Sequence, residues 1–92
     1  MLYTVYILFS RRYNKIYIGF TSNLVYRFHS HNDLSKKGWT NNFRPWIVIY
    51  CEYFEDKIFA QKREKQLKTG KGREWIWSTM KQQLDANGFI SA

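Results

Sequence analysis

The sequence is poor in cysteine, in acidic residues and in long hydrophobic runs. Cys51 is the only cysteine, so the chain cannot form an internal disulfide, which suits a reducing cytoplasm. The apolar start MLYTVYILFS is short and runs into Arg11-Arg12, without the basic region and cleavage site of a signal peptide. No apolar segment approaches the roughly 20 residues of a membrane span. These absences predict a cytoplasmic protein without a membrane partner.

The scarcity of acidic residues makes the chain strongly basic. Seven Asp and Glu stand against fifteen Lys and Arg, which gives a formal net charge of +8. One reading is an ordinary solvated basic surface. The other is a polyanionic partner, because clustered cations gain affinity by releasing the counterions of phosphates. The second reading favours nucleic acid, and a protein-interaction domain would leave the charge unexplained.

The hydrophobic patterns predict an α/β chain of the α+β class, in the order β-β-α-β-α-α. Residues 2–9 are apolar on both alternating faces, which is typical of a central strand. Residues 15–20 predict the second strand of a hairpin, ended by Gly19, where a side chain would hinder a close approach. Residues 46–53 predict a third strand. We expect one domain over residues 1–92, with a core over about 2–84 and a short tail.

Capping residues and apolar spacing locate three helices. Thr21-Ser22-Asn23 and Asp56 are good N-caps for helices that begin at about Leu24 and Lys57. The first helix is expected to end at Lys36-Lys37-Gly38 and the second near Lys68. The stretch Thr69-Gly70-Lys71-Gly72 is expected to break the chain before a third helix over residues 73–84.

One acidic residue conflicts with the pattern around it. Glu64 falls on the inward face of the second predicted helix, between Ala60 and Leu67, and such conflicts concentrate at functional sites. A carboxylate suits Mg²⁺ or Mn²⁺, since these ions keep most of their waters and take only one or two protein carboxylates. The alternative is a surface ion pair with Lys57 or Lys68.

Four other side chains could act on a phosphodiester. Tyr6 and Tyr17 fall on paired strands, although each alone is an ordinary sheet aromatic. Arg27 and His31 are four residues apart and share a helix face. Arg27 could neutralise phosphate charge with its forked donors, or lie on the surface as a solvated side chain. His31 could hydrogen-bond a tyrosine, a water or a phosphate, or be a half-buried helix histidine.

Together these residues resemble the GIY-YIG nucleases over nearly the whole chain. The resemblance rests on Tyr6, Tyr17-Ile18-Gly19, Arg27, His31 and Glu64. The stretches Arg44-Pro45-Trp46, 63–68 and 70–74 look like the short stand-alone members related to the catalytic module of the UvrC excision nuclease. The resemblance implies the GIY-YIG fold, a three-stranded antiparallel sheet in the order 2-1-3 flanked by three helices. Of the first motif, Thr4-Val5-Tyr6, only the tyrosine is retained, and Phe20 stands where some excision nucleases carry a lysine.

The resemblance also implies a function, a metal-dependent endonuclease that cleaves DNA in repair or processing. Glu64 would hold one Mg²⁺ or Mn²⁺ ion, and Arg27 would clamp the scissile phosphate. Tyr6, favoured over Tyr17, would be the general base, its pKa lowered by the metal, Arg27 and the positive field, with His31 taking or relaying the proton. The alternative is a non-catalytic nucleic-acid-binding domain that keeps the fold.

Eight further residues are candidates for contacts with nucleic acid. Trp39 lies in a polar loop and could stack on a base or anchor the loop by packing. The eight are Lys15, Lys36, Lys37, Trp39, Arg44, Lys62, Lys71 and Arg73. Since no separate DNA-binding module is recognised up to residue 92, we expect substrate choice to depend on this domain or on a protein partner.

Overall fold

The computed structural model describes residues 1–34 and 38–80. It contains the strands β1 (Tyr3–Ser10), β2 (Lys15–Thr21) and β3 (Ile47–Phe54), and the helices α1 (Leu24–His29), α2 (Lys57–Leu67) and α3 (Gly70–Trp75). The strands are antiparallel in the order β2-β1-β3, so the predicted class, element order and strand order are confirmed. Within the described ranges, no helix is long and apolar enough to cross a membrane.

The central position of β1 follows from its composition. Residues 4–10 are all buried, because the strand is covered on both faces. One face packs on α2 and on the π-helical turn Ile76–Met80 that continues α3, through a core of aliphatic and aromatic side chains. The other face packs on α1 and the loop before β3. The first core includes Val5, Ile7, Phe9, Ala60, Leu67 and Ile76. The second includes Tyr6, Leu8, Trp46, Tyr17, Leu24 and Phe28.

The helix starts that the capping residues predicted are observed. The Asn23 side chain accepts a hydrogen bond from the Tyr26 amide at 3.1 Å, and the Asp56 side chain accepts one from the Ile58 amide at 2.7 Å. The regular α1 is shorter than predicted, because from Ser30 to Leu34 the chain widens into a π-helical turn. A short 3₁₀ helix over Trp39–Phe43 leads towards β3.

The third helix begins earlier than the sequence indicated. Thr69 is its N-cap and accepts from the Gly72 amide at 3.1 Å, so the stretch predicted to break the chain forms the first turn of α3. A Cβ at Gly72 would lie 2.4 Å from the Gln66 carbonyl oxygen and 2.5 Å from that of Leu67. Glycine is therefore needed where α3 turns closely against the end of α2. The far end of the predicted helix, 81–84, and the tail lie outside the described residues.

Two glycines of this turn provide a matched test of that corner. Gly72→Ala should destabilise the protein by about 1–3 kcal/mol, since backbone carbonyls must move to admit the methyl group. Gly70→Ala meets open space and should be neutral or stabilising by up to about 1 kcal/mol. Urea denaturation of both variants beside the wild type measures the difference. Equal effects would show that the corner is not close-packed.

Candidate active site

The candidate site is built on a close contact between the first two strands. Tyr6 stands opposite Gly19 in the β1–β2 ladder, and directly opposed residues share a face of the sheet. A Cβ at Gly19 would lie 2.6 Å from the Tyr6 hydroxyl oxygen and 2.8 Å from its Cζ. The Tyr6 ring thus fills the space above a residue that has no side chain. The sequence predicted that Gly19 would end the strand, but β2 continues to Thr21.

A chain of buried hydrogen bonds leads from this ring to the loop before β3. The Tyr6 hydroxyl lies 3.0 Å from His31 Nε2, and His31 Nδ1 lies 3.0 Å from the Thr40 hydroxyl oxygen. Burial, with the charges of Arg27 and Arg44, lowers the pKa of His31 to about 4. The imidazole is therefore neutral at pH 7 and has one donor and one acceptor nitrogen for these two hydroxyls.

Burial also decides the state of Tyr6. It is the largest of the causes that raise the pKa of Tyr6 to about 12, with smaller contributions from Tyr17 and the Glu64 charge. The hydrogen bond from Arg27 lowers this pKa but does not outweigh burial. Arg27 therefore acts in the expected direction, but among the groups of the chain itself burial outweighs it and the net pKa is raised. Desolvation disfavours the phenolate more than one guanidinium favours it.

Arg27 joins the two tyrosines. Burial alone would lower the pKa of Arg27, but its hydrogen bonds to Tyr6 and Tyr17 raise it above the ordinary value. The guanidinium projects from α1, whose N-terminus is fixed by the Asn23 cap. One cation is thereby held against two phenols that come from different strands, with further donors of its fork left to bind an anion.

A cavity of about 370 Å³ opens in front of these groups. Tyr17, Arg27, His31, Trp39 and Thr40 all line it. The Tyr17 and His31 ring centroids are 4.6 Å apart, whereas Tyr6 is 1% exposed and lies behind them. Tyr17 is therefore the phenol that meets the cavity. This volume lies within the usual range of small-molecule sites.

Trp39 combines the two roles that the sequence left open. Its ring packs against Phe43 and Trp46, with centroids 4.6 and 5.8 Å away. It is stacked on Tyr17 at 6.4 Å, and yet 48% of the residue is exposed. The indole is thus an anchored side chain that keeps an accessible surface.

Glu64 approaches from the helix that covers the other face of the sheet. Its side chain is 16% exposed and its Oε1 lies 3.2 Å from Lys68 Nζ, so the ion pair considered for it is present. Its charge is the smallest of the causes that raise the pKa of Tyr6, so the carboxylate lies within electrostatic range of that hydroxyl. Within the part of the chain that the structure describes, no three His, Cys, Asp or Glu side chains lie together so that they could hold a metal ion. A metal here would have to be a hard ion that can be coordinated by one carboxylate together with water and substrate oxygens. Glu64 suits such an ion.

The predicted contacts with nucleic acid fall in different places. Lys15, Trp39 and Arg73 line a second cavity of about 600 Å³, which shares Tyr17 and Trp39 with the first. Lys62 lies over the Phe59 ring at 5.8 Å and lines a separate cavity. Lys71 is exposed on α3, and Lys36 and Lys37 lie outside the described residues.

Arg44 has an internal use that the sequence did not suggest. Its Nε donates to the carbonyl of His31 and its Nη2 to the carbonyl of Ser30 at 3.1 Å. The side chain thus satisfies carbonyls at the π-helical turn and helps to hold His31 in place. Two nitrogens of the Arg44 guanidinium therefore serve the fold, and a contact with nucleic acid stays a prediction for this residue.

Sequence reasoning missed Thr40 and did not place Lys68 at the site. Thr40 is buried in a polar loop, where no apolar period marks inward positions. Lys68 was considered only as an ion-pair partner, although it also lines the second cavity. The one available signal was its spacing of four residues from Glu64, which favours contact on a helix.

Comparison with known proteins agrees with this arrangement. The GIY-YIG catalytic domain matches residues 2–77. The chain belongs to the GIY-YIG family. This is a nuclease family whose substrates are nucleic acids and whose members generally depend on a divalent metal.

Several relatives of this GIY-YIG chain are UPF0213 proteins. The UPF0213 protein SH2523 of Staphylococcus haemolyticus is 36% identical over 56 residues, which are 61% of this chain and 68% of that protein. The one from Limosilactobacillus reuteri is 35% identical over 68 residues, covering 72% and 70%. The UPF0213 protein CPE1444 of Clostridium perfringens is 38% identical over 53 residues, covering 58% and 57%.

A solved structure shares the fold. The solution NMR structure of the UPF0213 protein BH0048 from Bacillus halodurans is similar with a TM-score of 0.52 at 24% identity. The match covers 85% of this GIY-YIG chain and 84% of that chain. At this identity, the likeness concerns the fold alone.

The low pKa of His31 predicts a dependence of stability on pH. The unfolded chain has the ordinary value of 6.5, so it binds a proton before the folded protein does as the pH falls. Stability should be complete above about pH 6.5 and be lost towards about pH 4, by at most about 3 kcal/mol. Urea denaturation across this range should show the slope in the wild type and a smaller one in His31→Gln. Equal slopes would mean that His31 does not titrate differently in the two states.

Proposed function

We propose that this GIY-YIG protein is a divalent-metal-dependent endonuclease that hydrolyses DNA phosphodiesters in repair or processing, in the cytoplasm. One observation carries the proposal. Five side chains from five parts of the fold converge on one point. They are Tyr6 from β1, Tyr17 from β2, Arg27 from α1, His31 from the following turn and Glu64 from α2. Each of the other four interacts with Tyr6 directly or through its charge. Such convergence from separate elements is difficult to explain by the packing of the fold alone.

Arg27 is the proposed phosphate ligand. Its guanidinium is held between two phenols and lines the first cavity, so a phosphate in that cavity would meet donors that need little reorganisation. Charge develops on the non-bridging oxygens as the attacking oxygen approaches phosphorus. A preorganised cation stabilises that charge more than the charge of the ground state.

Tyr17 is the proposed general base, in place of Tyr6. Tyr17 lines both cavities and is therefore within reach of a water beside the phosphate. Tyr6 is buried, its hydroxyl is bonded to His31 and its pKa is raised to about 12. The His31 ring packs 4.6 Å from the Tyr17 ring. Both of its nitrogens are bonded to the Tyr6 and Thr40 hydroxyls, so its proposed role is to position Tyr17.

Glu64 is the proposed ligand of one Mg²⁺ or Mn²⁺ ion. A bound ion of this kind supplies Lewis-acid stabilisation of phosphate oxygens. Glu64 contributes one carboxylate, with an oxygen that Lys68 holds at 3.2 Å. We further propose that substrate choice rests on this domain or on a protein partner.

The second candidate is a nucleic-acid-binding domain without catalysis. Two observations favour it, namely the Glu64–Lys68 ion pair and the burial that keeps Tyr6 protonated. Such a binder would keep the net charge of +8 and the cavities. Its affinity would fall steeply with salt, with a log–log slope of about −0.9 per phosphate neutralised on duplex DNA.

Glu64→Gln separates the two functions. Wild-type protein incubated with branched, single-stranded and duplex DNA and Mg²⁺ or Mn²⁺ should cleave at least one of these, and Glu64→Gln should lower the rate by at least about 10²-fold. Its melting temperature should be equal or higher, because a partly buried acid costs stability. Glu55→Gln, which removes the same charge from an exposed position, is the control. Binding without cleavage by the wild type on every DNA would favour the second candidate.

The two tyrosines can be told apart by removing one hydroxyl at a time. Tyr17→Phe should slow cleavage by about 10²–10⁴-fold, the usual contribution of a general base. Tyr6→Phe should cost about 1 kcal/mol of stability through its buried bond to His31 and slow cleavage less. The measurements are single-turnover rates and urea denaturation. A greater loss of rate in Tyr6→Phe, with the fold intact, would assign the base to Tyr6.

A further inference from the structure

The second cavity extends the candidate site around the free edge of β2. It is lined by Tyr17, which faces α1, and also by Ile16 and Ile18, which belong to the core on the opposite face. Its charged lining residues, Lys15, Lys68 and Arg73, are all cations. Together with Trp39, they offer the lining that a phosphate and an attached base require.

Lys68 lines this cavity and also forms the ion pair with Glu64, the proposed metal ligand. Its ammonium lies 3.2 Å from Glu64 Oε1, while its side chain is 43% exposed and that of Glu64 is 16% exposed. Lys68 is the C-cap of α2, and its own carbonyl accepts from Arg73 Nε at 3.3 Å. The backbone at Lys68 is thus fixed. The four-carbon side chain of Lys68 is flexible, so its ammonium can contact either of two nearby anions.

From this position we infer that Lys68 couples the two ligands of the site: it holds the Glu64 carboxylate until a nucleotide phosphate of the substrate enters the second cavity, and then transfers its ammonium to that phosphate, leaving the carboxylate to the metal. The inference rests on the proposed function and adds a regulation to it. Metal binding becomes dependent on substrate without any movement of the backbone.

The physical basis is competition between cations for one carboxylate. An ammonium in contact with Glu64 repels a divalent cation and occupies an oxygen that the cation needs. A phosphate in the cavity gives the ammonium a second anionic partner, so phosphate and metal bind cooperatively. By linkage, the metal must strengthen phosphate binding by the same factor.

The test measures metal binding in the full chain rather than cleavage. The probes are Mn²⁺ and thymidine 5′-monophosphate, which carries a base and a phosphate but has no internucleotide bond to cleave. Calorimetry gives the Mn²⁺ affinity with and without the nucleotide for wild type, Lys68→Gln, Lys65→Gln and Glu64→Gln. Lys65 is exposed, lies on the same helix beside Glu64 and controls for the loss of one positive charge.

The expected result has two parts. Without nucleotide, Lys68→Gln should bind Mn²⁺ about 2–5-fold more tightly than wild type, in keeping with the strength of a partly exposed ion pair. The nucleotide should tighten Mn²⁺ binding about 5-fold or more in wild type and Lys65→Gln, but not in Lys68→Gln. Inorganic phosphate in place of the nucleotide should reproduce the effect if the phosphate alone drives the exchange.

Two outcomes overturn the inference alone, and a third overturns both the inference and the proposed metal ligand. If Lys68→Gln and Lys65→Gln change the Mn²⁺ affinity equally, only net charge matters. If the nucleotide still tightens Mn²⁺ binding in Lys68→Gln, another residue provides the coupling. If wild type and Glu64→Gln bind Mn²⁺ equally well, the proposed metal ligand itself is wrong, and the inference fails with it.

Discussion

The Tyr6 ring lying across Gly19 is the contact on which the candidate site depends. It brings the Tyr6 hydroxyl to His31, and His31 reaches Thr40 on the loop before β3. The carbonyl of Thr40 in turn accepts from the Trp46 indole at 2.9 Å. One cross-strand pairing therefore fixes a loop that is distant in sequence, and a shift of register by one residue would turn Tyr6 to the opposite face.

Burial and charge divide the site into an inner and an outer part. In the inner part, desolvation keeps both His31 and Tyr6 neutral, as the directions of their pKa shifts show. In the outer part, Arg27, Lys68 and Glu64 carry charge beside the two cavities or at their border. Neutral side chains in the interior destabilise the fold less than buried charges would. An anionic ligand would therefore bind at the charged outer part.

What the sequence could predict follows from the range of the interactions involved. The central position of β1 and the caps at Asn23 and Asp56 depend on neighbours a few residues away, so patterns predicted them. The start of α3 at Gly70 depends on how closely α2 packs against it, which no local pattern encodes.

The candidate site shows the same division. The spacing of the GIY-YIG residues identified the family, since the match to residues 2–77 includes all of them. The net rise of the Tyr6 pKa was not predicted, because the burial that causes it depends on the whole second core. The carbonyl contacts of Arg44 and the burial of Thr40 likewise arise only when the loop before β3 folds onto the π-helical turn.

The order of the elements along the chain has a consequence for synthesis on the ribosome. β1 is made first but is central, so it must wait for β3 before both of its edges are paired. A two-stranded hairpin alone is marginal in water, and the helix that carries Glu64 follows β3. A nascent chain therefore contains Tyr6, Tyr17, Arg27 and His31 before Glu64 has been synthesised. Hydrolytic competence, as proposed for this protein, is reached only once translation has passed α2.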